Sequence, residues 1–299
     1  MSFPIMKRIA SLGLAAILSL SPMTHAPAHA SGLQLLTDIA IDVPGTDAFG
    51  GLSAIEMDRN GRGAIVVSDR ATLFHVAFSR EAGRVIGLRL TGMSPLTDAA
   101  GRMAQRADQM DSEGLARLPG GRLALSFEGR MRIAFHGRDG RERHRIAPPP
   151  GSDALPANGA YEGLAADHRG YLYTLAERAP GRGPVPLYRY SGGRWQVFGH
   201  IPRTGTWRPV GLDFDDRGRL YVLERRLSLT GFSSRMTRYD ADTNGLGRGE
   251  VLLEGVRHGN LEGLSLWRRS DGALIASAVA DNNFRGAAGT RLVEYVVPD

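Results

Sequence analysis

The sequence predicts an all-β fold, a five-bladed β-propeller. A Gly-Leu pair that opens an apolar strand recurs along the chain, beginning at residues 51, 114, 163, 211 and 263. After a longer first interval, the pairs are 49, 48 and 52 residues apart, close to the ~40 to 50 residues of a four-stranded blade. Each is followed by a turn and a second apolar strand, as in a β-hairpin. No helical periodicity of comparable length appears.

The repeats also predict how the ring closes. Most repeats continue with two further strands, such as 132–136 and 142–146, whereas the last has only one, 291–297. We expect the strand at 33–43 to complete the last blade and so cover a free sheet edge. The longer first interval leaves a sixth blade open, but residues 97–112 are polar and poor in strand pattern. We therefore expect a loop there, and a single domain over residues 31–299.

Residues 1–30 have the pattern of a removable export signal. Lys7 and Arg8 precede an apolar run at 9–20, and Ala28-His29-Ala30 is an A-x-A cleavage site. The run is well short of the ~20 residues that cross a bilayer as a helix. We expect a periplasmic or secreted protein, cleaved after Ala30 and not inserted in a membrane.

Composition excludes several kinds of chemistry. The chain has no cysteine, which excludes disulfides, thiolate nucleophiles and thiolate metal ligands. Its one lysine is Lys7, so residues 31–299 contain neither a Schiff-base lysine nor a P-loop. The positive charge after residue 30 is carried by arginines spread along the chain, unlike the clustered basic patch of a nucleic-acid-binding protein. We expect no nucleic-acid partner, and a monomer.

Acidic residues recur at two places in the repeats, before the Gly-Leu pair and after the second strand. In a propeller both places lie at one mouth of the central channel. The set comprises Asp69, Glu113, Glu128, Glu162, Glu177, Glu224, Glu262 and Asp281, followed by Asn282 and Asn283. So many carboxylates would repel one another unless protons, arginines or a cation neutralise them.

Two interpretations of this acidic ring remain open. Hard oxygen ligands in an irregular shell suit a divalent metal, with calcium as the default. Alternatively, the arginines that follow the acids form structural ion pairs between blades; these are Arg70, Arg130, Arg178 and Arg225.

At these residues the chain resembles the phytase-like esterase family of exported bacterial propellers. The resemblance covers nearly all of residues 31–299 and is carried by an ordered set of short motifs: Gly50-Gly51-Leu52-Ser53, Ser112-Glu113-Gly114-Leu115, Ser126-Phe127-Glu128, Asn158 to Leu164, Leu223-Glu224-Arg225, Asn260 to Leu264 and Asp281-Asn282-Asn283-Phe284. It implies a propeller that hydrolyses phosphoesters or carboxylic esters. No glutamate directly precedes the Gly-Leu pair of the first and fourth repeats, so the ring of acids is incomplete.

The function that we expect is ester hydrolysis by metal-activated water, which needs no protein nucleophile. The expected metal ligands are Asp69, Glu113, Glu162, Glu262, Asp281 and Asn282. The expected catalytic groups are Glu128, Glu177 and Glu224 as bases or further ligands, Arg178 and Arg225 as anion clamps, and His258 as a general base. The substrate would be a small ester or phosphoester. The alternatives are a calcium-dependent, lactonase-like propeller and a non-catalytic binding or scaffold propeller.

Other motifs are weaker. Residues 240–245 match the first half of a calcium loop, but the acid at its end, Glu250, is one position early, so a polar turn is the simpler interpretation. Arg257-His258-Gly259 lacks the rest of the histidine acid phosphatase signature. Neither a Gly-x-Ser-x-Gly elbow nor a His-Glu-x-x-His helix is present.

Overall fold

The computed structural model describes residues 32–46, 48–282 and 289–298. Within these ranges, twenty strands form five antiparallel sheets of four strands, which are the blades of a propeller. The predicted export signal and Asn283 lie outside the described residues. The α-helix that the structure does describe, α1 (Ala107–Met110), has four residues, and no helix in these ranges is long and apolar enough to cross a membrane.

The blades follow one another along the chain. Blade 1 is β2 (Leu52–Met57), β3 (Gly63–Ser68), β4 (Thr72–Glu81) and β5 (Arg84–Pro95); blade 2 is β6 (Ser112–Arg117), β7 (Leu123–Phe127), β8 (Arg132–His136) and β9 (Glu142–Ile146). Blade 3 is β10 (Gly163–Ala166), β11 (Leu172–Leu175), β12 (Val185–Ser191) and β13 (Arg194–Ile201); blade 4 is β14 (Arg208–Phe214), β15 (Leu220–Ser228), β16 (Gly231–Asp242) and β17 (Gly245–Val256). Blade 5 is β18 (Asn260–Arg268), β19 (Leu274–Asp281), β20 (Thr290–Val297) and β1 (Gln34–Ile41).

The predicted closure and blade count are confirmed. β1 pairs antiparallel with β20, so the first and last strands of the chain share blade 5. Residues 97–111 form isolated bridges at Thr97 and the helix α1 rather than a blade, so the six-bladed alternative is wrong.

Burial follows position in the blade. The second strands β3 and β11 are buried at every residue, because blades pack on both of their faces. The outer strand β5 instead alternates between more and less exposed residues. The core therefore lies between blades and around the channel.

The repeated glycines lie where neighbouring inner strands approach each other closely. A Cβ on Gly114 would lie 2.6 Å from the carbonyl oxygen of Glu162 in the next blade, and one on Gly211 would lie 2.6 Å from that of Glu262. At the ring closure, a Cβ on Gly263 would lie 2.7 Å from the Cα of Ala54. Because these neighbours are backbone atoms that cannot move aside, a small residue is required at each place.

The contact between Gly263 and Ala54 corrects the alignment of the first repeat with the others. In register, Ala54 pairs with Val67 just as Gly263 pairs with Val279, so Ala54 and not Gly51 is equivalent to the later glycines. Ser53 therefore occupies the place of Glu262. Gly51 instead lies in the link between blades, with φ of 57°, and its N–H donates to Asn282 Oδ1 at 3.0 Å.

The opposite mouth of the channel holds two further acids that are partly buried, Glu56 on β2 and Asp213 on β14. Both line one cavity of about 750 Å³. Glu56 Oε1 accepts the N–H of Arg117 at 2.9 Å, and Asp213 Oδ2 accepts that of Leu266 at 2.6 Å. Each carboxyl thus joins two neighbouring inner strands. Burial raises the pKa of Glu56 to about 7, although the charge of Arg117 opposes this shift. The pKa of Asp213 is also raised, by burial and by the negative charge of Glu56.

The raised pKa of Glu56 predicts that the protein loses stability as the pH rises to neutral. Because the folded-state pKa of Glu56 is above its ordinary value of 4.5, its contribution is complete below about pH 4.5 and is lost as the pH rises through about 7. We expect Glu56→Gln, which keeps the oxygen that accepts from Arg117, to flatten the pH dependence of the unfolding free energy by up to roughly 3 kcal/mol between pH 5 and 8. Urea unfolding of both proteins at several pH values measures this, and identical slopes would contradict it.

Candidate functional site

The acidic mouth of the channel is a cavity of about 500 Å³. Eight carboxyl groups line it: Asp69, Asp111, Glu113, Glu128, Glu162, Glu177, Glu262 and Asp281. Three guanidinium groups oppose them, those of Arg178, Arg208 and Arg225. Carboxyl groups are in excess, so the cavity attracts cations unless its acids are protonated.

Register explains which side chains reach this cavity. Asp69, Glu177 and Asp281 each lie two residues beyond the partner of the small inner-strand residue in their own blade. Glu128 holds this position in blade 2, where the Gly114 N–H donates to the Ser126 hydroxyl. In blade 4, Gly211 pairs with Leu223, so the equivalent residue is Arg225. Four acids and one arginine therefore occupy the same place in the five blades.

Glu224, expected as a catalytic group, lies one residue away from the position that faces the acidic mouth, and it does not line the cavity. Successive residues of a strand point to opposite faces, so Glu224 points away from the cavity that Arg225 faces. Both its oxygens accept from Arg235, at 2.7 Å to Nε and 2.7 Å to Nη2, and both side chains are buried. Glu224 is half of a structural ion pair.

Arg225 fills one half of the mouth. Its Nη2 donates to Glu162 Oε1 at 3.3 Å and to Glu177 Oε1 at 3.2 Å, and its Nη1 donates to Glu262 Oε1. Asn260 Nδ2 also donates to Glu262, at 2.7 Å. One guanidinium on blade 4 thus bridges acids of blades 3 and 5. Glu162 and Glu262, expected as metal ligands, are engaged by an arginine, as the ion-pair interpretation expected.

The other half of the mouth contains acids without an arginine partner. Carboxylate oxygens of Asp111, Glu113 and Glu128 lie within 4.8 Å of one another, a spacing that could hold a metal ion. None of the three forms an ion pair with an arginine in the part of the chain that the structure describes. Glu128 Oε1 accepts the N–H of Gly159 at 2.7 Å and also that of Ala160, which fixes the orientation of this carboxyl group.

The pKa values reflect this crowding. Burial, and then the carboxylates of Glu162 and Glu262, raise the pKa of Glu113 well above its ordinary value. Burial raises that of Glu128 to about 7, although its two backbone hydrogen bonds lower it. Asp69 rises to a pKa of about 6 through burial and the charge of Asp281, although Arg70 lowers it. Such shifts indicate carboxyl groups that a bound cation would stabilise in the charged form.

The carboxyl group of Asp69 is a further candidate for binding a cation. Its Oδ1 is buried and has no hydrogen-bond partner among the described residues. Asp281 lines the same cavity. Asn282, expected as a ligand, joins blades 5 and 1 through Gly51 instead, so its amide oxygen is already engaged.

His258, expected as a general base, does not line the cavity. Its Nδ1 lies 2.8 Å from Asp38 Oδ2 and its Nε2 lies 2.6 Å from the hydroxyl of Tyr295. Arg291 also donates to Asp38, at 2.9 Å from its Nε. His258 therefore links β1, through Asp38, to β20, through Tyr295, within blade 5.

Sequence reasoning missed two functional candidates. Asp111 lay in the segment expected to be a loop, although its place two residues before Glu113 is a signal that could have found it. Arg208 lies on β14 directly opposite Arg225 in register, and its side chain is 43% exposed. Its buried Nη1 has no hydrogen-bond partner among the described residues, and the nearest carboxylate oxygen, on Glu177, is 3.9 Å away. Arg178 donates from Nε to Glu177 at 3.1 Å and is also half exposed.

The remaining motifs have structural roles. The segment at residues 240–245 comprises the end of β16, the turn and the start of β17, and Asp242 accepts the N–H of Asn244 there at 2.7 Å. Arg130, expected to form an ion pair between blades, donates to Asp108 of helix α1 at 3.3 Å.

Comparison with solved structures finds distant likenesses. An aldose sugar dehydrogenase from Streptomyces coelicolor, solved with bound PQQ, is 13% identical, with a TM-score of 0.48, over 90% of this chain and 99% of that one. A putative gluconolactonase is 16% identical, with a TM-score of 0.49, over 90% and 82%. A gluconolactonase from Xanthomonas campestris is 13% identical, with a TM-score of 0.44, over 84% and 88%.

Comparison with protein families is more specific. No curated protein matches the chain. Residues 47–284 match the family described as "Phytase-like: Esterase-like activity of phytase", which covers both mouths of the channel and all five inner strands. That span is most of the sequence and agrees with the resemblance in the short motifs. The chain belongs to the phytase-like esterase family.

Proposed function

We propose that this chain is an exported, metal-dependent hydrolase of phosphate or carboxylic esters that acts at the acidic mouth. One observation carries the proposal: a triad of acids without arginine partners and a pair of half-exposed arginines line the same cavity. The first can hold a cation and the second can hold an anion, which is the combination that an ester with a developing negative charge requires. Membership of a family described by esterase-like activity supports a hydrolase.

The donor set fits a hard divalent cation. Asp111, Glu113 and Glu128 would hold it, and the unpartnered Oδ1 of Asp69 is available beside them. Among the described residues, the candidate ligands in this half of the cavity all offer oxygen atoms, which favours calcium or magnesium over softer metals. When bound, such an ion supplies a Lewis acid that polarises the ester.

The chain's own residues supply orientation and proton transfer. The amides of Gly159 and Ala160 hold Glu128 Oε1, which leaves its other oxygen for the cation. Asp69, with a pKa of about 6 and a free lone pair, can accept a proton from an attacking water near neutral pH. Arg178 and Arg208 can hold the negative oxygens of a phosphoester, since guanidinium groups bind such oxygens in fork geometry.

An activity screen tests the proposal. Protein comprising residues 31–299 is assayed with p-nitrophenyl phosphate, p-nitrophenyl acetate and a lactone, with calcium, magnesium or chelator. We expect metal-dependent turnover that falls at least a hundredfold in Glu113→Gln. Glu250→Gln is the control, because this exposed glutamate lies on the outer strand β17 and pairs with Arg238. Absence of turnover under every condition would favour a binding or scaffold propeller.

Thermal melts test the metal site without requiring turnover. Glu113→Gln removes a charge from a crowded cluster, so the metal-free protein should be as stable as wild type or slightly more so. Added calcium should stabilise wild type by about 3 kcal/mol at a hundredfold excess over its dissociation constant, and the variant much less.

A matched control occupies the same position in the next blade. Glu162→Gln changes a carboxylate that Arg225 already neutralises, so it should retain the calcium response. Equal calcium responses in the two variants, or no response in wild type, would refute the assignment of the cation to the triad.

A further inference from the structure

The hairpin of blade 4 extends past the acidic mouth. β15 continues to Ser228 and β16 begins at Gly231, whereas the corresponding second strands of blades 1 to 3 end at Ser68, Phe127 and Leu175. Leu227 pairs in register with Phe232 on this extension, and both side chains line the mouth cavity. Leu227 is 66% exposed. The hairpin therefore places an apolar wall on a cavity otherwise lined by polar and charged groups.

Contacts on its opposite face hold the hairpin in position. Arg226 points the other way from Leu227 and stacks on Trp207, with the guanidinium carbon 4.4 Å from the ring centroid. Arg235 lies over the same ring at 5.1 Å, and Trp207 is buried. At the tip, Ser228 Oγ donates to the Gly231 carbonyl at 3.0 Å. Leu227 and Phe232 are thus fixed on the cavity side rather than folded into the core.

The cavity has two chemically different sides. The candidate cation ligands come from blades 1 and 2 and the segment that precedes blade 2. Blade 4 supplies the apolar pair on β15 and β16, together with Arg225 on β15 and Arg208 on β14. An apolar wall that remains exposed beside a charged site gains stability when an apolar group covers it.

We propose that the substrates are esters with an alkyl or aryl group that packs against Leu227 and Phe232 while the ester oxygens face the acidic triad. This inference rests on the proposed function, because it assigns the non-reacting part of the substrate of that same site. Leu227 and Phe232 would be specificity residues. Esters with only polar substituents would leave the wall uncovered.

Binding of non-hydrolysable alkylphosphonates tests the inference. Methyl-, butyl- and hexylphosphonate are titrated calorimetrically into protein with calcium. Each methylene buried against the wall strengthens binding, so hexylphosphonate should bind at least tenfold tighter than methylphosphonate. In the double variant Leu227→Ser, Phe232→Ser, this dependence on chain length should largely disappear, while methylphosphonate binds as before.

Leu229→Ser is the matched control. Leu229 is fully exposed at the tip of the same hairpin and does not line the cavity, so its replacement should leave the dependence unchanged. Equal affinities for the three phosphonates in wild type would overturn the inference while calcium-dependent binding still supported the anion site. A chain-length dependence that survives the double variant, or that Leu229→Ser abolishes, would also overturn it. If binding depends on chain length but no ester is turned over, the proposed hydrolase activity is refuted, while the role of the apolar wall in binding is supported.

Discussion

Replacing Arg225 by methionine should destabilise the protein by roughly 3 to 5 kcal/mol near pH 8. The guanidinium is mostly buried and is shared by Glu162, Glu177 and Glu262. Methionine has a similar length but no charge, so three carboxylates would remain together in the cavity without their cation. The pKa of Glu262 is already raised to about 7 by burial against the opposing effect of Arg225. The loss should therefore shrink towards pH 5, where Glu262 and Glu162, whose pKa burial also raises, take up protons.

Urea unfolding at pH 5 and pH 8 measures the effect. Arg208→Met is the matched control, since Arg208 lies opposite Arg225 in register but is 43% exposed and 3.9 Å from its nearest carboxylate. That replacement should lower the free energy of unfolding by less than about 1 kcal/mol. If Arg225→Met is as stable as wild type at pH 8, Arg225 does not neutralise this half of the mouth.

Removal of residues 31–44 should abolish cooperative folding or lower the melting temperature severely. β1 is the outermost strand of blade 5, and without it β20 becomes a free sheet edge that invites aggregation. The deletion also removes Leu36 from the core, the Thr37 hydroxyl that donates to Glu294 at 3.2 Å, and Asp38 beside His258. If the shortened protein melts within a few degrees of the intact one, the closing strand does not carry the stability assigned to it.

Point variants keep the test informative if the shortened chain does not fold. Leu36→Ala should lower the free energy of unfolding by roughly 2 to 5 kcal/mol, because the Leu36 side chain on β1 is buried against blade 1. Leu35→Ser, one residue earlier and 44% exposed, should cost little. Equal effects would show that β1 does not present its inner face to the core.

The fold could be predicted because its signals are local and repeated. Apolar strands, turns and spacing recur in every blade, and the one incomplete repeat directly indicated the closing strand. The first repeat was misaligned because Gly51-Leu52 resembles the later pairs. The residue equivalent to the later glycines, Ala54, is identified by its pairing with Val67 and by its closeness to Gly263, which lies more than two hundred positions away in the sequence.

The site could be predicted only in part. The sequence identified the mouth and seven of its acids, but it could not show that bulges in the inner strands of blades 1, 2, 4 and 5 shift the register. A shift of one residue reverses the face of a side chain, which places Arg225 at the mouth and Glu224 away from it. The position of His258 outside the mouth could not be predicted either, since its partners Asp38 and Tyr295 lie on strands that only the folded blade brings together.

The pairing of β1 with β20 also governs the order of folding. The first strand to be synthesised must wait for the last before it has a partner, while blades 1 to 4 can each form from consecutive segments. A contact of such long sequence separation is slow to form, and it leaves β1 exposed until β20 is available. The ring can therefore close only after β20 has been synthesised. Joining residue 298 to residue 32 and opening the chain between two other blades should turn this last step into an early one.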